Sequence, residues 1–177
     1  MKVVAYMAQS LDGYIAGPNG ELEWLERIDN PEGSDLGFAN FMSTIDVLLM
    51  GKNTFEKVAS FGFWPYDKPV YVASNTLKHL PVELEGKAHI LSGDLPSMLS
   101  QLEDKGISVV YIDGGLLIQS ALKHDFLNEI TVTTLPVILG QGISLFGLSS
   151  DALKLQLKSS EVLLNQLVKT RYEIVVA

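Results

Sequence analysis

VVYIDGGLLIQSAL, residues Val109–Leu122, is the stretch whose reading decides the fold. It opens on Val109, Val110, Tyr111 and Ile112, a short run of β-branched and aromatic residues. Such a run is what a strand covered on both faces of a parallel sheet looks like. Asp113, Gly114 and Gly115 follow, and LLIQSAL continues with helical spacing. A double glycine between strand and helix lets a ligand approach the backbone, because no Cβ intervenes. The helix start behind it offers unpaired N–H groups and a partial positive charge, which suit a phosphate. A tight strand-to-helix turn explains the same two glycines equally well, since the longer G-x-G-x-x-G pattern is absent.

Composition bounds the rest. A chain of 177 residues suits one domain with a sizeable core. Its 47% hydrophobic and 19% charged residues indicate a globular protein. The 21 acidic residues against 13 basic ones give a net charge of -8, which argues against a nucleic-acid binder. With no cysteine, thiol catalysis, disulfides and Cys-containing zinc sites are excluded. His79, His89 and His124 show no ligand spacing, so no metal site is expected. The first residues, MKVVAYMAQS, are too short and polar for a signal segment, and no apolar run reaches membrane-spanning length. A soluble cytoplasmic protein is the expectation.

Working outward, Val3–Met7 and Val47–Met50 read as buried strands, and each runs into a turn. After the first come Asp12-Gly13 and then Ile15-Ala16; after the second, Gly51 precedes Lys52, Asn53 and Thr54 at a helix start. Lys52 is either a solvated lysine on that turn or a charge held near an anion. Between these strands lie the acidic segment Glu21–Asp35 and a helix expected over Leu36–Ser43. Val70–Ala73 and Ala88–Leu91 are further strands, ending at Ser74-Asn75-Thr76 and Ser92-Gly93-Asp94, where small polar residues suit a ribose, a phosphate or an ordinary turn. Leu95–Lys105 reads as a helix closed by Gly106. Ile130–Leu135 alternates loosely, whereas Leu153–Ser159 and Val168–Val176 read as a closing antiparallel pair near a sheet edge. Ligands of an open parallel sheet bind outside the carboxyl ends of its strands. The candidates there are Ala8, Gly51–Thr54, Ser74–Thr76, Ser92–Asp94 and Asp113–Gly115, which points to a phosphorylated ligand such as a dinucleotide.

The order of five motifs resembles the dihydrofolate reductase-like superfamily, and within it the branch of the riboflavin-biosynthesis reductase domain, as a stand-alone bacterial member. The motifs are Ser10–Ala16, Met50–Glu56, Ser74-Asn75, Ile112–Gly115 and Glu129-Ile130 through Pro136–Gly142. The resemblance implies a three-layer α/β/α fold with a central, mostly parallel eight-stranded sheet and an antiparallel C-terminal edge. It implies an NADPH-dependent reductase, most specifically of the 5-amino-6-(5-phosphoribosylamino)uracil reductase type. Dihydrofolate reduction and a non-catalytic nucleotide-binding module are the alternatives.

Carried over residue by residue, Ala8 and Ile15 would meet the nicotinamide. Gly51, Lys52, Asn53 and Thr54 would hold the pyrophosphate and the adenosine 2′-phosphate side. Ser74 and Asn75 would line the adenine ribose, and Gly114, Gly115 and Leu116 would close over the diphosphate. The family's arginine is a lysine at Lys52, which keeps the charge but not the bidentate fork. Asp35 stands where dihydrofolate reductases carry their pterin-binding acid and is the expected substrate carboxylate; a helix-starting acid fits the same position. A small-molecule substrate and a homodimer are the expected partners, and Gly17–Gly33 has the glycines and prolines of a lid. No basic cluster that would grip a substrate phosphate stands out.

Overall fold

The computed structural model describes residues 1–147 and 152–175. The deciding stretch folds as read: β6 is Val109–Asp113 and α4 is Gly115–Lys123. Around β6 stand β1 (Lys2–Ser10), β3 (Val47–Gly51), β4 (Val70–Ala73), β5 (Ala88–Leu91) and β7 (Glu129–Leu135). With β9 (Lys154–Leu163) and β10 (Leu167–Val175) they form one eight-stranded sheet, ordered β5-β4-β3-β6-β1-β7-β10-β9. The first six of these are parallel neighbours, while β10 runs antiparallel to both β7 and β9. A smaller sheet pairs β2 (Tyr14–Ala16) with β8 (Ile143–Ser144).

Both faces of the central strands are covered, which is why they read as continuous apolar runs. On one face, α3 (Leu95–Asp104) and α4 bury Leu102 and Ile118 against Val3, Ala5, Leu49 and Ile112. On the other, α1 (Phe38–Met42) and α2 (Lys52–Ala59) bury Met42 and Phe55 against Val4, Leu48, Met50 and Tyr111. Burial of each such large side chain contributes about 1.5–3 kcal/mol relative to leaving it in water.

Two expectations are corrected and one segment gains structure. The helix expected over Leu36–Ser43 is only Phe38–Met42, because Leu36 sits at φ 56 and cannot be helical. The acidic segment contains a 3-10 turn, Glu23–Arg27, anchored by buried Trp24. The closing strands run to Lys154–Leu163 and Leu167–Val175, with Val176 outside the described residues.

Asp12 acts as a latch. Its carboxylate accepts hydrogen bonds from the N–H groups of Leu139 (3.1 Å) and Gly140 (2.7 Å) and from the Ser10 hydroxyl (2.6 Å). The turn after β1 is thereby tied to the loop after β7.

Candidate functional site

The ladder between β1 and β6 ends at Ala5↔Ile112, yet β1 stays paired with β7 as far as Ser10↔Leu135. The sheet therefore opens between Tyr6–Ser10 on one side and Asp113-Gly114 on the other. Two regions meet at this opening.

The first is a row across the carboxyl ends of β4, β3, β6 and β1, which are neighbours in that order. It brings together Ser74 and Asn75, then Gly51–Thr54, then Gly114–Leu116, then Ala8 and Ile15. At about 4.8 Å per strand the row is about 14 Å long. Helices α2 and α4 both start here, behind Gly51 and Gly114, and neither start has a side-chain cap. By contrast α3, which starts at the end of β5, is capped by Asp94, whose carboxylate accepts from the Ser97 N–H at 3.0 Å.

Gly51 and Gly114 are glycines for different reasons. Gly114 has φ +100, and a Cβ there would lie 2.5 Å from the Thr54 hydroxyl oxygen, so both backbone and packing require glycine. Gly51 has φ -70 and ψ 159, a conformation open to any residue, and a Cβ there would meet nothing within 4 Å. No group among the described residues asks for glycine at Gly51. Its bare backbone leaves a cradle beside two uncapped helix starts, a fit for the phosphates of a dinucleotide.

The remaining row residues follow. Lys52 is in loose contact with Glu56 at 3.6 Å, one turn along the same helix. Gly115 accepts the Ile15 side chain, since a Cβ would stand 2.9 Å from Ile15 Cδ1. The β2–β8 ladder shifts register between Tyr14 and Ala16, so Ile15 is left out of the pairing and its backbone faces no ladder partner. Leu116 is 76% exposed. Ser74 is buried, its hydroxyl accepting from the Leu77 N–H at 3.0 Å. The Asn75 side chain instead bridges to the Gly93 N–H at 2.8 Å, which ties the ends of β4 and β5 together.

The second region is a cavity of about 340 Å³ beyond β1, over β7 and β10. Its walls are mainly aliphatic: Leu25, Ile28, Leu36, Leu135 and Leu167. Tyr6, Asn30, Asp35 and Thr133 bring the polar groups, and Ala8 completes it, so Ala8 belongs to both regions.

Asp35 is on the cavity wall, but both carboxylate oxygens are engaged. Oδ1 accepts from the Gly37 N–H at 2.9 Å and Oδ2 from the Ala39 N–H at 2.8 Å. These bonds, that to Ala39 the stronger, hold its pKa below the usual carboxylate value. As the geometry stands, Asp35 is a helix-starting acid and a poor proton donor.

The carboxyl group that sequence reasoning left aside is Asp113. It ends β6, in register with Met50 of β3, two residues on from Tyr111 and on the same face of the sheet. Burial pushes its pKa up to about 6, against the opposing influence of the Gly114 N–H and of the Tyr66 and Tyr111 hydroxyls beside it. The Tyr111 hydroxyl also lies 3.0 Å from the Tyr6 carbonyl oxygen, to which it donates. A carboxyl that titrates near neutrality, held by two tyrosines at the opening of the sheet, has the properties of a general acid. An acid just before a double glycine at the end of a buried strand was the available signal. Its burial, however, depends on Tyr66 from a distant loop.

Among the described residues no helix is long and apolar enough to cross a membrane, and no group of three or more acids and histidines is disposed to hold a metal.

Residues 1–169 match the family model of the RibD C-terminal domain. A solved protein of Shewanella sp. PV-4, whose name gives it a provisional place in riboflavin biosynthesis, is 41% identical. The two superpose with a TM-score of 0.95, over 99% of this chain and 100% of that one. A diaminohydroxyphosphoribosylaminopyrimidine deaminase/5-amino-6-(5-phosphoribosylamino)uracil reductase of Thermotoga maritima gives a TM-score of 0.74 at 16% identity. That match covers 98% of this chain and 56% of the Thermotoga chain. Dihydrofolate reductase of Enterococcus faecalis, solved with NADP(H), gives 0.69 at 15% identity, over 98% of this chain and 96% of the other. The last two likenesses establish the fold.

Proposed function

The chain belongs to the RibD C-terminal domain family, and we propose that it is an NADPH-dependent reductase of a small pyrimidine- or pterin-like heterocycle. The reaction we assign is of the 5-amino-6-(5-phosphoribosylamino)uracil reductase type, named for the Thermotoga relative; reduction of a pterin ring comes second. One observation carries this reading. A phosphate-ready row and an aliphatic cavity meet at the opening between β1 and β6, with a titratable carboxyl, Asp113, at the junction.

A reduced nicotinamide, when bound, supplies hydride. The chain's own residues provide placement, dryness and a proton. The starts of α2 and α4 hold the diphosphate, with Lys52 on the 2′-phosphate side. Ile15 and Ala8 bound the nicotinamide end, and the aliphatic walls hold a flat ring beside Ala8 and keep water out. Asp113 carries the proton on its carboxyl, and Tyr66 and Tyr111 fix that carboxyl's orientation. NADPH consumption, followed by absorbance with aminopyrimidine and dihydropterin substrates, tests the assignment. NADPH binding without consumption by any of them would make the chain a nucleotide-binding module instead.

The location we assign is the cytoplasm, and the assembly a homodimer through the β9–β10 ribbon. Strand β9 is a ten-residue sheet edge with Leu155, Leu157 and Val162 exposed at 37%, 56% and 67%. Val168 continues the same apolar face from β10. A long apolar edge left open in solution invites pairing, and a second copy carries the same strand. Light scattering after size exclusion should give a dimer for the wild type and a monomer for Leu157→Lys. A monomeric wild type at micromolar concentration would contradict it.

A further inference from the structure

The sequence shows no basic cluster that would grip an anionic substrate, but the sheet brings one lysine to the cavity wall. Ala8 of β1, Thr133 of β7, Lys169 of β10 and Glu161 of β9 are partners in successive ladders and form one row across the sheet. Directly opposed residues point to the same face. Ala8 and Thr133 line the cavity, and Lys169 is the next residue beyond them, two strand spacings or about 10 Å from Ala8.

The ammonium is held against the wall from several sides. Its Nζ donates at 2.9 Å to the carbonyl oxygen of Leu36, a lining residue. A Cβ on Gly37 would stand 3.0 Å from Nζ, so the approach uses bare backbone. Burial raises the pKa of Tyr6, another lining residue, and the Lys169 charge is the largest influence opposing that rise. The turn itself does not call for a cation, because the Leu36 carbonyl also accepts from the neutral Tyr6 hydroxyl at 3.3 Å.

A lysine side chain only 14% exposed carries a desolvation cost that a good counter-ion must offset. Among the described residues its carboxylate partner is Glu161, at 2.8 Å, which is itself 55% exposed on the edge strand. An ion pair whose carboxylate lies mostly in water is weak and exchangeable. Asp35 does not compete for the ammonium with hydrogen bonds of its own, since both its oxygens accept from backbone N–H groups.

We propose that Lys169 is the specificity residue of the cavity, and that its ammonium binds an anionic group of the substrate, a phosphate or a carboxylate, which takes the place of Glu161. The proposal rests on the reductase reading for the identity of the site and deepens it by naming the residue that recognises the substrate's charge. The heterocycle then lies over Thr133, between the nicotinamide end at Ala8 and the anion at Lys169. Glu161 neutralises the lysine until the substrate arrives.

The test uses two pairs of probes that share a ring and differ in charge. They are 5-amino-6-(ribosylamino)uracil with its 5′-phosphate, and 7,8-dihydropterin with 7,8-dihydrofolate. Calorimetric titration into the NADP⁺-saturated protein should show the anionic member of at least one pair binding ~10-fold or more tightly than its neutral partner. The pair that shows it tells whether the anion is a phosphate or a carboxylate. Lys169→Met should abolish that preference and leave the neutral member's affinity nearly unchanged. Glu161→Gln, at an exposed position, should strengthen binding of the anionic member alone. Neutral and anionic members weakened alike by Lys169→Met would make the lysine a support for the Leu36 turn and overturn the proposal. A preference that survives Lys169→Met, no gain in Glu161→Gln, or no binding by either pair would overturn it too. Binding without NADPH consumption would instead overturn the reductase reading, and the affinities would still decide the role of Lys169.

Discussion

Replacing Gly51 with alanine is expected to weaken NADPH binding by at least ~10-fold, or about 1.4 kcal/mol, with no loss of thermal stability. At φ -70 and ψ 159 the backbone accepts alanine without strain, and the new methyl would touch nothing in the chain. The unfolded chain loses freedom, so stability should hold or rise by about 0.4–1 kcal/mol. Among the described residues there is no group for the methyl to obstruct, so a loss of affinity would point to the ligand. Gly114→Ala is the contrast. There φ +100 and the Thr54 hydroxyl oxygen, 2.5 Å from the added Cβ, both resist the change. That variant should lose about 1–2 kcal/mol of stability together with its affinity. Thermal melts and NADPH titrations of the two variants separate ligand contact from folding. Wild-type affinity in Gly51→Ala would place the phosphates elsewhere.

Asp113→Asn is expected to lower kcat by about 10²–10⁴-fold and to leave the NADPH dissociation constant nearly unchanged. The asparagine keeps the shape and can still meet the two tyrosines, but it has no proton to give. The wild-type rate should fall as pH rises through about 6, because the acid is then ionised. Tyr66→Phe removes one of the hydrogen bonds that hold this pKa down, so its rate profile should shift to higher pH.

Stability should fall over the same pH range as activity. The folded pKa of about 6 lies above the ordinary value of 3.8. The contribution of Asp113 is thus fully favourable below the lower value and is lost as pH rises through the higher one. A two-unit rise corresponds to about 3 kcal/mol at most, and partial solvent access reduces it. Asp113→Asn should therefore melt no lower than the wild type at neutral pH. A large drop in melting temperature would show that the carboxyl is structural, and an unchanged kcat would return the proton to another donor.

Much of this arrangement was legible before any coordinates. The strands that are apolar on both faces declared themselves as runs, and β6 and α4 divide at the double glycine where the sequence divides. The five motifs that resemble the superfamily come to lie on five adjacent strands, β4, β3, β6, β1 and β7. What could not be read depended on contacts between distant residues. Asp35 is the exception, since the helix-starting reading was open in the sequence and its partners, the Gly37 and Ala39 N–H groups, are two and four residues away. Asp113 looked like a turn residue because Tyr66, which helps to enclose it, lies in a distant aromatic loop. The β2–β8 ladder escaped notice because β8 is two residues long. It matters all the same, since it fixes Ile15 against Gly115.

Titration of the purified protein with NADPH and with NADH, followed by nicotinamide fluorescence, tests the central claim most directly. Micromolar binding of NADPH with markedly weaker NADH is the expected result, and Lys52→Ala should remove most of the difference. Failure of either cofactor to bind would contradict the claim, and the bare backbone at Gly51 would then belong to some other phosphorylated ligand.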